Sequence, residues 1–269
     1  MELFKFIKIL PKKNLKNSFI QVLKYIKYHR FGKCNVCGNY TIFLCQFGPD
    51  AAREYMHCPF CISSSRKRHV ALVVINHLPP PPPRNKTIKK IAKLTTLDIY
   101  NTDRNVWEKY FKNNDHYKSS IFTDEYPFGT EIEKNVFCQD LEALTFNDES
   151  FDIVITEDVF EHIRNYKKGF NEIYRVLRKG GIHVFTIPFL FNQETIVRVD
   201  TSTENDINLL PPEYHIDRIR GKIIAYRTFG IDLFQILSDI GFSTTVNNST
   251  LEDSRYGIYN SSVFVSKKM

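Results

Sequence analysis

The spacing of hydrophobic residues changes repeatedly along the part of the chain that follows residue 93. Short apolar runs, typical of buried strands, alternate with segments in which apolar residues recur every three or four positions, as in helices. The predicted strands are "LTTLDIY", "YKSSIFTD", "VFCQD", "FDIVITEDVF", "GIHVFTIPF" and "SSVFVSKK", and the predicted helices are "DRNVWEKYFK", "NYKKGFNEIYRVLRKGG" and "GIDLFQILSDIGF". This alternation predicts an α/β fold whose doubly wound, mostly parallel sheet is covered by helices on both faces. Ligands of such sheets bind beyond the carboxyl ends of the strands.

The helix "NYKKGFNEIYRVLRKGG" has apolar residues on one face and two glycines at its end. Glycine commonly follows the last turn of a helix, and basic side chains are favoured there by the helix dipole. We therefore expect this helix to continue to Gly180 and Gly181, with Arg178 and Lys179 in its last turn.

The positive charge of the chain is concentrated before residue 34. The formal net charge is +7, and residues 1–33 carry about +8 when lysine, arginine and glutamate are counted, so the rest is near neutral. Within this arm, "NSFIQVLKYIKYHRF" has apolar residues at helical spacing and basic residues mostly off that stripe. A basic amphipathic helix of this kind attaches to an anionic membrane surface or to nucleic acid, or it packs on the neighbouring module with a solvated basic face.

Two C-x2-C pairs, "CNVC" and "CPFC", follow the arm and are separated by twenty residues. Each pair can form a tight knuckle, and four thiolates close a tetrahedral site around Zn²⁺. The predicted ligands are Cys34, Cys37, Cys58 and Cys61. We expect Cys45 and Cys138 to pack locally, and the spacing does not distinguish zinc from iron. The segment is predicted to be a zinc ribbon with a structural metal.

The chain of 269 residues can hold one sizeable domain and a small module. No run approaches the roughly 18 apolar residues that cross a bilayer, and lysines interrupt the start, so we expect a cytoplasmic protein. The predicted parts are a basic arm at 1–33, a zinc-ribbon module with a docking helix at 34–78, a proline-rich linker at 79–93, and an α/β domain at 94–269 with an insertion at 191–227. The basic run that begins the docking helix also suits nucleic acid, and neither interpretation of it prevails.

A long motif run, "DLEALTFNDESFDIVITEDVFEHIRNYKKGFNEIYRVLRKGGIHVFTIPF", resembles the class I S-adenosylmethionine-dependent methyltransferases, in particular the methyltransferase type 11 group. The "E-H" after the central strand and the "E-x-x-R-V-L-x-x-G-G" segment are parts of the resemblance, and "TFGIDLFQILSDIGF" extends it. The resemblance covers about residues 94–266 and implies a Rossmann-like fold, S-adenosylmethionine as cofactor and methyl transfer as the reaction. A front module with two C-x2-C knuckles is similar to a subgroup of these proteins.

The resemblance also implies which residues meet the cofactor. Asp140 would meet the adenine amine with Leu141 beside the ring, and Asp124 or Glu125 would bind the ribose hydroxyls. Glu157 would face the methionine end or the substrate. The first predicted strand supplies the remaining candidates, which are Asp98, Tyr100 and Thr102.

The turn after the first strand departs from the family pattern. The family has a glycine-rich turn there, which lets the backbone approach the cofactor, whereas "LDIYNT" places Tyr100 and Thr102 at two of the glycine positions. Tyr100 can stack on a ligand, make a hydrogen bond, or fill the pocket.

The acceptor of the methyl group is predicted to be a hydroxyl oxygen of a small molecule or glycan. The insertion contains "PPEYH", and His215 is the predicted general base, with His162 and Glu157 as further catalytic candidates. Two alternatives stay open: an RNA methyltransferase that grips nucleic acid with its ribbon and arm, and a scaffold that has lost cofactor binding. The near-neutral charge of the α/β domain disfavours nucleic acid as a partner. Membrane contact through the arm stays open as well.

Overall fold

A computed structural model describes residues 30–45, 51–78, 86–217, 220–249 and 255–269. The chain divides into two compact units. The first consists of the described residues of Met1–His69 and Ser249–Ser261, and the second of those of Val70–Asn248 and Ser262–Met269. The predicted amphipathic helix of the arm and the five prolines of the linker lie outside the described residues.

The first unit contains a small antiparallel sheet. Strands β1 (Arg30–Lys33), β2 (Tyr40–Cys45) and β3 (Met56–His57) lie in that order, and helix α1 (Ala52–Tyr55) precedes β3. Alternate residues of β2 are buried, as period-two side-chain alternation requires. Helix α2 (Ser65–His77) begins in this unit, and the Ser64 hydroxyl accepts from the backbone N–H of Lys67 at 3.3 Å. Ser64, in the serine run that precedes α2, thus caps the start of this helix.

The residues that end the first unit come from far along the chain. The Ser65 hydroxyl donates to the Tyr259 carbonyl at 2.8 Å and accepts from the Tyr259 N–H at 2.7 Å. Gly257 has φ +61°, and a Cβ there would lie 2.1 Å from Cδ2 of Phe43, so only glycine fits. The sequence interpretation had assigned residues 249–261 to the α/β domain, whereas the described part of this segment, Ser249 and residues 255–261, belongs to the first unit.

The second unit is built on one large sheet. Its helices are α3 (Ile88–Leu94), α4 (Glu108–Phe111), α5 (Tyr166–Val176) and α6 (Leu233–Ile240). The strands of the sheet are β4 (Ile99–Asn101), β5 (Tyr117–Ile121), β6 (Glu131–Glu133), β7 (Val136–Cys138), β8 (Phe151–Glu157), β9 (Leu177–Thr186), β16 (Phe242–Ser249) and β17 (Ser261–Lys268). Their order is β16-β17-β9-β8-β4-β5-β7-β6. Strands β9, β8, β4, β5 and β7 are parallel, whereas β17 and β6 pair antiparallel with their neighbours. The predicted mostly parallel α/β sheet is confirmed.

Between β9 and α6 the insertion forms three two-stranded ribbons. They pair β10 (Ile196–Val197) with β15 (Arg227–Thr228), β11 (Val199–Asp200) with β12 (Ile207–Asn208), and β13 (Tyr214–Asp217) with β14 (Gly221–Ile224). Short paired strands therefore occupy part of the described insertion, and turns and irregular segments connect them.

Aromatic and aliphatic side chains fill the core of the second unit. Phe160 stacks on Phe170 with ring centroids 3.8 Å apart, and Phe185 stacks on Phe264 at 5.1 Å. Helices α5 and α6 contribute buried apolar faces, as their 3.6-residue periodicity predicted. Apolar burial of this extent is the main term that stabilises such a domain.

Two predicted helix boundaries are wrong. Helix α5 ends at Val176, and β9 begins at Leu177, which is buried and registers with Phe151 of β8. Because this pairing draws the chain into the sheet early, Arg178 lies in a strand and not in the last turn of a helix. The helix predicted for "DRNVWEKYFK" is limited to α4, because the Asn105 side chain accepts from the Trp107 N–H at 2.8 Å and holds a turn before it.

Part of the predicted linker is also helical. Thr87 caps α3 by accepting from the Lys90 N–H, and Ile88, Ile91 and Ala92 are buried. Among the residues that the structure describes, no helix combines the length and the apolar character needed to cross a membrane.

Candidate functional site

The four predicted cysteine ligands come together in the first unit. Sγ of Cys34 lies 3.6 Å from Sγ of Cys61, and Sγ of Cys37 lies 3.8 Å from Sγ of Cys58. A tetrahedral zinc site with Zn–S bonds of about 2.3 Å separates its sulfur atoms by roughly 3.8 Å. The sulfur positions therefore fit such an ion. The two cysteine pairs converge although their nearest members, Cys37 and Cys58, are 21 positions apart in sequence.

The four thiols of this cluster influence one another's ionisation. Hydrogen bonds from Cys37, Cys58 and Cys61 hold the pKa of the Cys34 thiol below its usual range, whereas interaction with Cys34 raises the pKa of the other three thiols. Four sulfur atoms this close cannot all lose their protons unless positive charge compensates them. A divalent ion at this position would supply that charge, since metal binding deprotonates coordinating thiols.

Arg68 on α2 is a buried cation in the same unit. Its guanidinium donates to the carbonyls of Ser63, Met56, Tyr256 and Gly257, and it lies 4.1 Å from the centroid of the Phe43 ring. Burial lowers the pKa of Arg68 to about 10, and the charges of the four cysteines oppose that shift. Arg68 thus ties the knuckles to the 255–261 segment while its charge offsets that of the thiolates. Arg68 belongs to the basic run that begins the docking helix, and its fully buried side chain is not available to nucleic acid.

The second candidate site lies at the carboxyl edge of the large sheet. From β4 the chain continues outward to β5 and β7 on one side, and then returns to β8 on the other side of β4. The carboxyl ends of β4 and β8 therefore flank the point at which the strand order reverses, where open α/β sheets have their ligand crevice.

Two polar side chains bridge that point. The Asn105 amide, in the turn after β4, donates to Oε1 of Glu157, the last residue of β8, at 3.0 Å. Glu157 is buried, and Asp158 beside it has φ +51°, a conformation that non-glycine residues rarely adopt. Such strain is characteristic of functional turns. Predicted candidate Glu157 therefore lies at the crevice, and Asn105 is a contact that the sequence did not single out.

Tyr100 does not reach the crevice. Its side chain is fully buried, its ring lies 5.3 Å from Phe151, and its hydroxyl is 2.7 Å from that of Ser120. Burial raises the pKa of Tyr100 above its usual range. The Tyr100 side chain is therefore part of the core, which does not support the prediction that this side chain meets the cofactor.

Asp98 also lies away from the crevice. It precedes β4, at the amino end of that strand, and its carboxylate pairs with Arg178 at 2.8 Å and His116 at 2.9 Å. His116 directly precedes β5, which is the neighbour of β4, and Arg178 is near the start of β9, which lies beyond β8. The carboxyl edge is the opposite edge of the sheet, so Asp98 ties strand starts together.

The other residues that were predicted to contact the cofactor come after the carboxyl ends of strands. Thr102 comes directly after β4 and is half-buried, with its N–H and hydroxyl both donating to the Ile155 carbonyl. Asp124 and Glu125 follow β5 and are exposed. Asp140 and Leu141 follow β7; Asp140 is half-buried and accepts from the Glu142 N–H at 2.8 Å, whereas Leu141 is buried.

A third group of side chains follows β8 by a few residues. Nδ1 of His215 on β13 lies 3.0 Å from Nε2 of His162, and Oε1 of Glu161 lies 3.7 Å from each of these nitrogens. Nδ1 of His162 is 2.6 Å from the Ile224 carbonyl, and Nε2 of His215 is 3.3 Å from Oε1 of Glu213. Burial lowers the pKa of His162. The two histidines predicted as catalytic are thus brought together, with two glutamates that the sequence did not indicate.

A buried arginine fixes the turn that carries this group. Arg227 donates to the carbonyls of Ile163 at 2.5 Å and Arg164 at 3.0 Å, and its guanidinium lies 4.4 Å from the Tyr166 ring centroid. Burial lowers the pKa of Arg227 to about 10, and the charges of Tyr166, Tyr226 and two glutamates, one of them Glu161, oppose the shift. Arg227 therefore acts on the turn as a rigid clamp.

Comparison with known proteins agrees with this fold. Residues 85–185 match the methyltransferase domain family. No curated protein sequence matches the chain.

Solved structures similar to the chain include methyltransferases from several organisms. One is an S-adenosylmethionine-dependent methyltransferase from Mesorhizobium loti, with 12% identity, 77% of this chain and 99% of that chain covered, and a TM-score of 0.46. Another is the Burkholderia thailandensis 1,6-didemethyltoxoflavin-N1-methyltransferase with 1,6-didemethyltoxoflavin and S-adenosylhomocysteine bound, with 14% identity, 64% and 70% covered, and a TM-score of 0.35.

The sequence contains one signal for this group of side chains that the sequence interpretation did not use. Glu161 directly precedes His162 in "FEHI", and a carboxylate next to a histidine is a common ligand pair. Nothing in the sequence places Glu213 or Arg227 near them, because both lie in the insertion, more than 50 residues later.

Proposed function

We propose that the protein is an S-adenosylmethionine-dependent methyltransferase that methylates a hydroxyl oxygen of a small molecule or glycan. The observation that carries the proposal is the crevice where the strand order reverses, flanked by Thr102 and by the Asn105–Glu157 hydrogen bond. The domain match over residues 85–185 supports S-adenosylmethionine as the donor.

The strand ends along the sheet fit the parts of that cofactor. Strands β8, β4, β5 and β7 are successive neighbours, so their ends span roughly 14 Å at about 4.8 Å per strand. Glu157 would meet the methionine end, Asp124 or Glu125 the ribose hydroxyls, and Asp140 the adenine amine. When bound, S-adenosylmethionine supplies an electrophilic methyl group on a positively charged sulfur.

The residues of the chain would orient the acceptor and remove its proton. Methyl transfer depends mainly on alignment, and a hydroxyl acceptor must lose a proton in the step. His215, which is partly exposed and in contact with His162, is the proposed base. The ribbons of the insertion that carry His215 would cover the acceptor.

The scaffold alternative loses its main support. It rested on Tyr100 and Thr102 occupying the place of glycines, and the Tyr100 side chain lies in the core. We propose a structural zinc ion for Cys34, Cys37, Cys58 and Cys61, on the basis of their sulfur–sulfur distances.

Calorimetric titration with S-adenosylmethionine and S-adenosylhomocysteine tests the cofactor site. We expect binding that Asp140→Asn weakens about tenfold or more, roughly 1.4 kcal/mol, because the amide keeps the turn but cannot match a carboxylate as an acceptor. Asp98→Asn is the matched control and should leave the affinity unchanged, because Asp98 lies at the opposite edge.

Transfer of a radiolabelled methyl group then tests the acceptor class. Sugars and small hydroxylated metabolites should accept label, and RNA should not. Folded protein that fails to bind either cofactor form would reject the proposal. Label in RNA, together with salt-dependent RNA binding that is lost when residues 1–33 are deleted, would favour the RNA methyltransferase instead.

A further inference from the structure

The hydrogen bonds around His162 and His215 determine where their ring protons lie. A carbonyl oxygen only accepts, so the 2.6 Å contact with Ile224 requires a proton on Nδ1 of His162. A carboxylate likewise only accepts, so the 3.3 Å contact with Glu213 requires a proton on Nε2 of His215.

In neutral rings, the two remaining nitrogens then have lone pairs. These are Nε2 of His162 and Nδ1 of His215, and they face each other at 3.0 Å. Two lone pairs at that distance repel, so a positive charge must lie between them. That charge is either an additional proton or a metal ion.

The position of Glu161 favours a metal ion over an additional proton. Its Oε1 lies 3.7 Å from each of the two nitrogens, too far for a hydrogen bond to either of them. The three atoms form a triangle with sides of 3.0, 3.7 and 3.7 Å, and the point equidistant from its corners lies about 2.0 Å from each atom. Metal–ligand bonds from histidine nitrogen and carboxylate oxygen to zinc have lengths of about 2.0 to 2.2 Å.

We propose that Glu161, His162 and His215 bind a divalent transition-metal ion, distinct from the ion proposed for the four cysteines. Two imidazoles and a carboxylate suit Zn²⁺, Fe²⁺ or Co²⁺, and three protein ligands leave a coordination position open. The Ile224 carbonyl and the Glu213 carboxylate hold the rings in the ligating tautomer, as outer-shell partners of metal-bound histidines do.

The side chains of Glu161, His162 and His215 are held in position, and an ion can reach them from solvent. Glu161 and His162 are buried on the turn that Arg227 clamps, whereas the His215 side chain is 35% exposed and offers an entry path. The turn follows the carboxyl end of β8, so an ion there would lie next to the acceptor and lower the pKa of a coordinated hydroxyl; this last consequence alone rests on the proposed function. In that case, the two histidines serve as ligands and not as the base.

Metal content of the full-length protein tests the site. After equilibration with Zn²⁺ and gel filtration, we expect two zinc ions per chain in the wild type and one in His215→Ala, measured by inductively coupled plasma mass spectrometry. Glu161→Gln keeps the shape but loses the charge, and should weaken the second equivalent at least tenfold. Glu213→Gln removes only an outer partner and should weaken it about 10- to 100-fold.

The matched control is His116→Ala, which removes a histidine paired with a carboxylate elsewhere in the same unit and should retain two zinc ions. Replacement by Co²⁺ identifies the sites, since thiolate ligands give a strong charge-transfer band and a nitrogen–oxygen site does not. His215→Ala should keep that band.

One zinc ion in the wild type, or two in both His215→Ala and Glu161→Gln, would overturn the metal site. One zinc ion in the wild type, with methyl transfer lost in His215→Ala, would establish the base role instead. Failure of the cofactor titration would reject the proposed function and leave the zinc count unaffected.

Discussion

Both units have a buried centre, but the side chains that are buried there differ in chemical character. The first buries four cysteines and the guanidinium of Arg68, together with a few apolar side chains. The second buries phenylalanine rings and aliphatic side chains between a large sheet and its helices. A small module buries little apolar area on folding, and we propose that polar bonds and a metal ion stabilise the first unit, whereas the large sheet of the second unit relies on apolar burial.

Removal of the metal should give the largest effect. This effect should be confined to the first unit. Structural zinc contributes about 10 to 16 kcal/mol to the folding of small modules, which exceeds the total free energy of unfolding of such a module. We expect a strong chelator, or Cys58→Ser, to abolish amide-exchange protection in β2 and the start of α2, measured by mass spectrometry. Protection in β8 and β9 should persist, and so should the fluorescence of Trp107, the single tryptophan of the chain, which is buried in the second unit.

Cys45→Ala is the matched control for that experiment. Cys45 is buried in β2 but is not one of the four clustered cysteines. Its loss should reduce protection only slightly. Unchanged protection after chelation would contradict the metal-dependent account of the first unit.

Arg68→Met should give the next largest effect, again confined to the first unit. It retains much of the side-chain volume but leaves four buried carbonyls without their donors, at a cost of about 3 to 5 kcal/mol. Exchange protection at Met56 and at 255–261 measures the loss. Equal protection in the variant would show that the cysteine cluster alone organises the unit.

Tyr100 tests the second unit in two steps. Tyr100→Ala opens a cavity in the core and should cost about 3 to 5 kcal/mol, whereas Tyr100→Phe removes only the bond to Ser120 and should cost about 1 kcal/mol. Urea unfolding followed by Trp107 fluorescence measures both. Cofactor affinity should be the same in Tyr100→Phe as in the wild type, and a large change would place the hydroxyl at the ligand after all.

His183 gives the smallest effect, a dependence on pH. It is fully buried in β9, its Nε2 lies 2.9 Å from the Thr156 hydroxyl, and burial lowers its pKa from 6.5 to about 3. The unfolded state therefore binds the proton first, so the stabilisation is complete above pH 6.5 and is lost as the pH falls below it. The limiting slope is about 1.4 kcal/mol per pH unit.

The measurement compares the wild type with His183→Gln between pH 6.5 and 5, where carboxylates contribute little. The free energy of unfolding, again from urea and Trp107 fluorescence, should fall more steeply in the wild type. Parallel slopes would show that His183 is protonated in the folded state.

The sequence by itself determined the parts that depend on local periodicity and spacing. Apolar runs fixed the strands, since a strand covered on both faces must be apolar. The C-x2-C spacing fixed which four cysteines converge, because each pair forms its knuckle from neighbouring residues. The serine run fixed the start of α2 for the same local reason.

Only the tertiary structure decided the parts that depend on register and on the edges of the sheet. Asp98 and Thr102 are four residues apart, yet they lie at opposite edges, because β4 runs between them. Because Leu177 pairs with Phe151, α5 ends at Val176 and Arg178 lies in β9. Glu161 and His215 meet although 54 positions separate them, because ribbon packing, and not local preference, returns the insertion to the turn after β8. The energy that fixes such contacts comes from burial across the whole unit, which no short segment encodes.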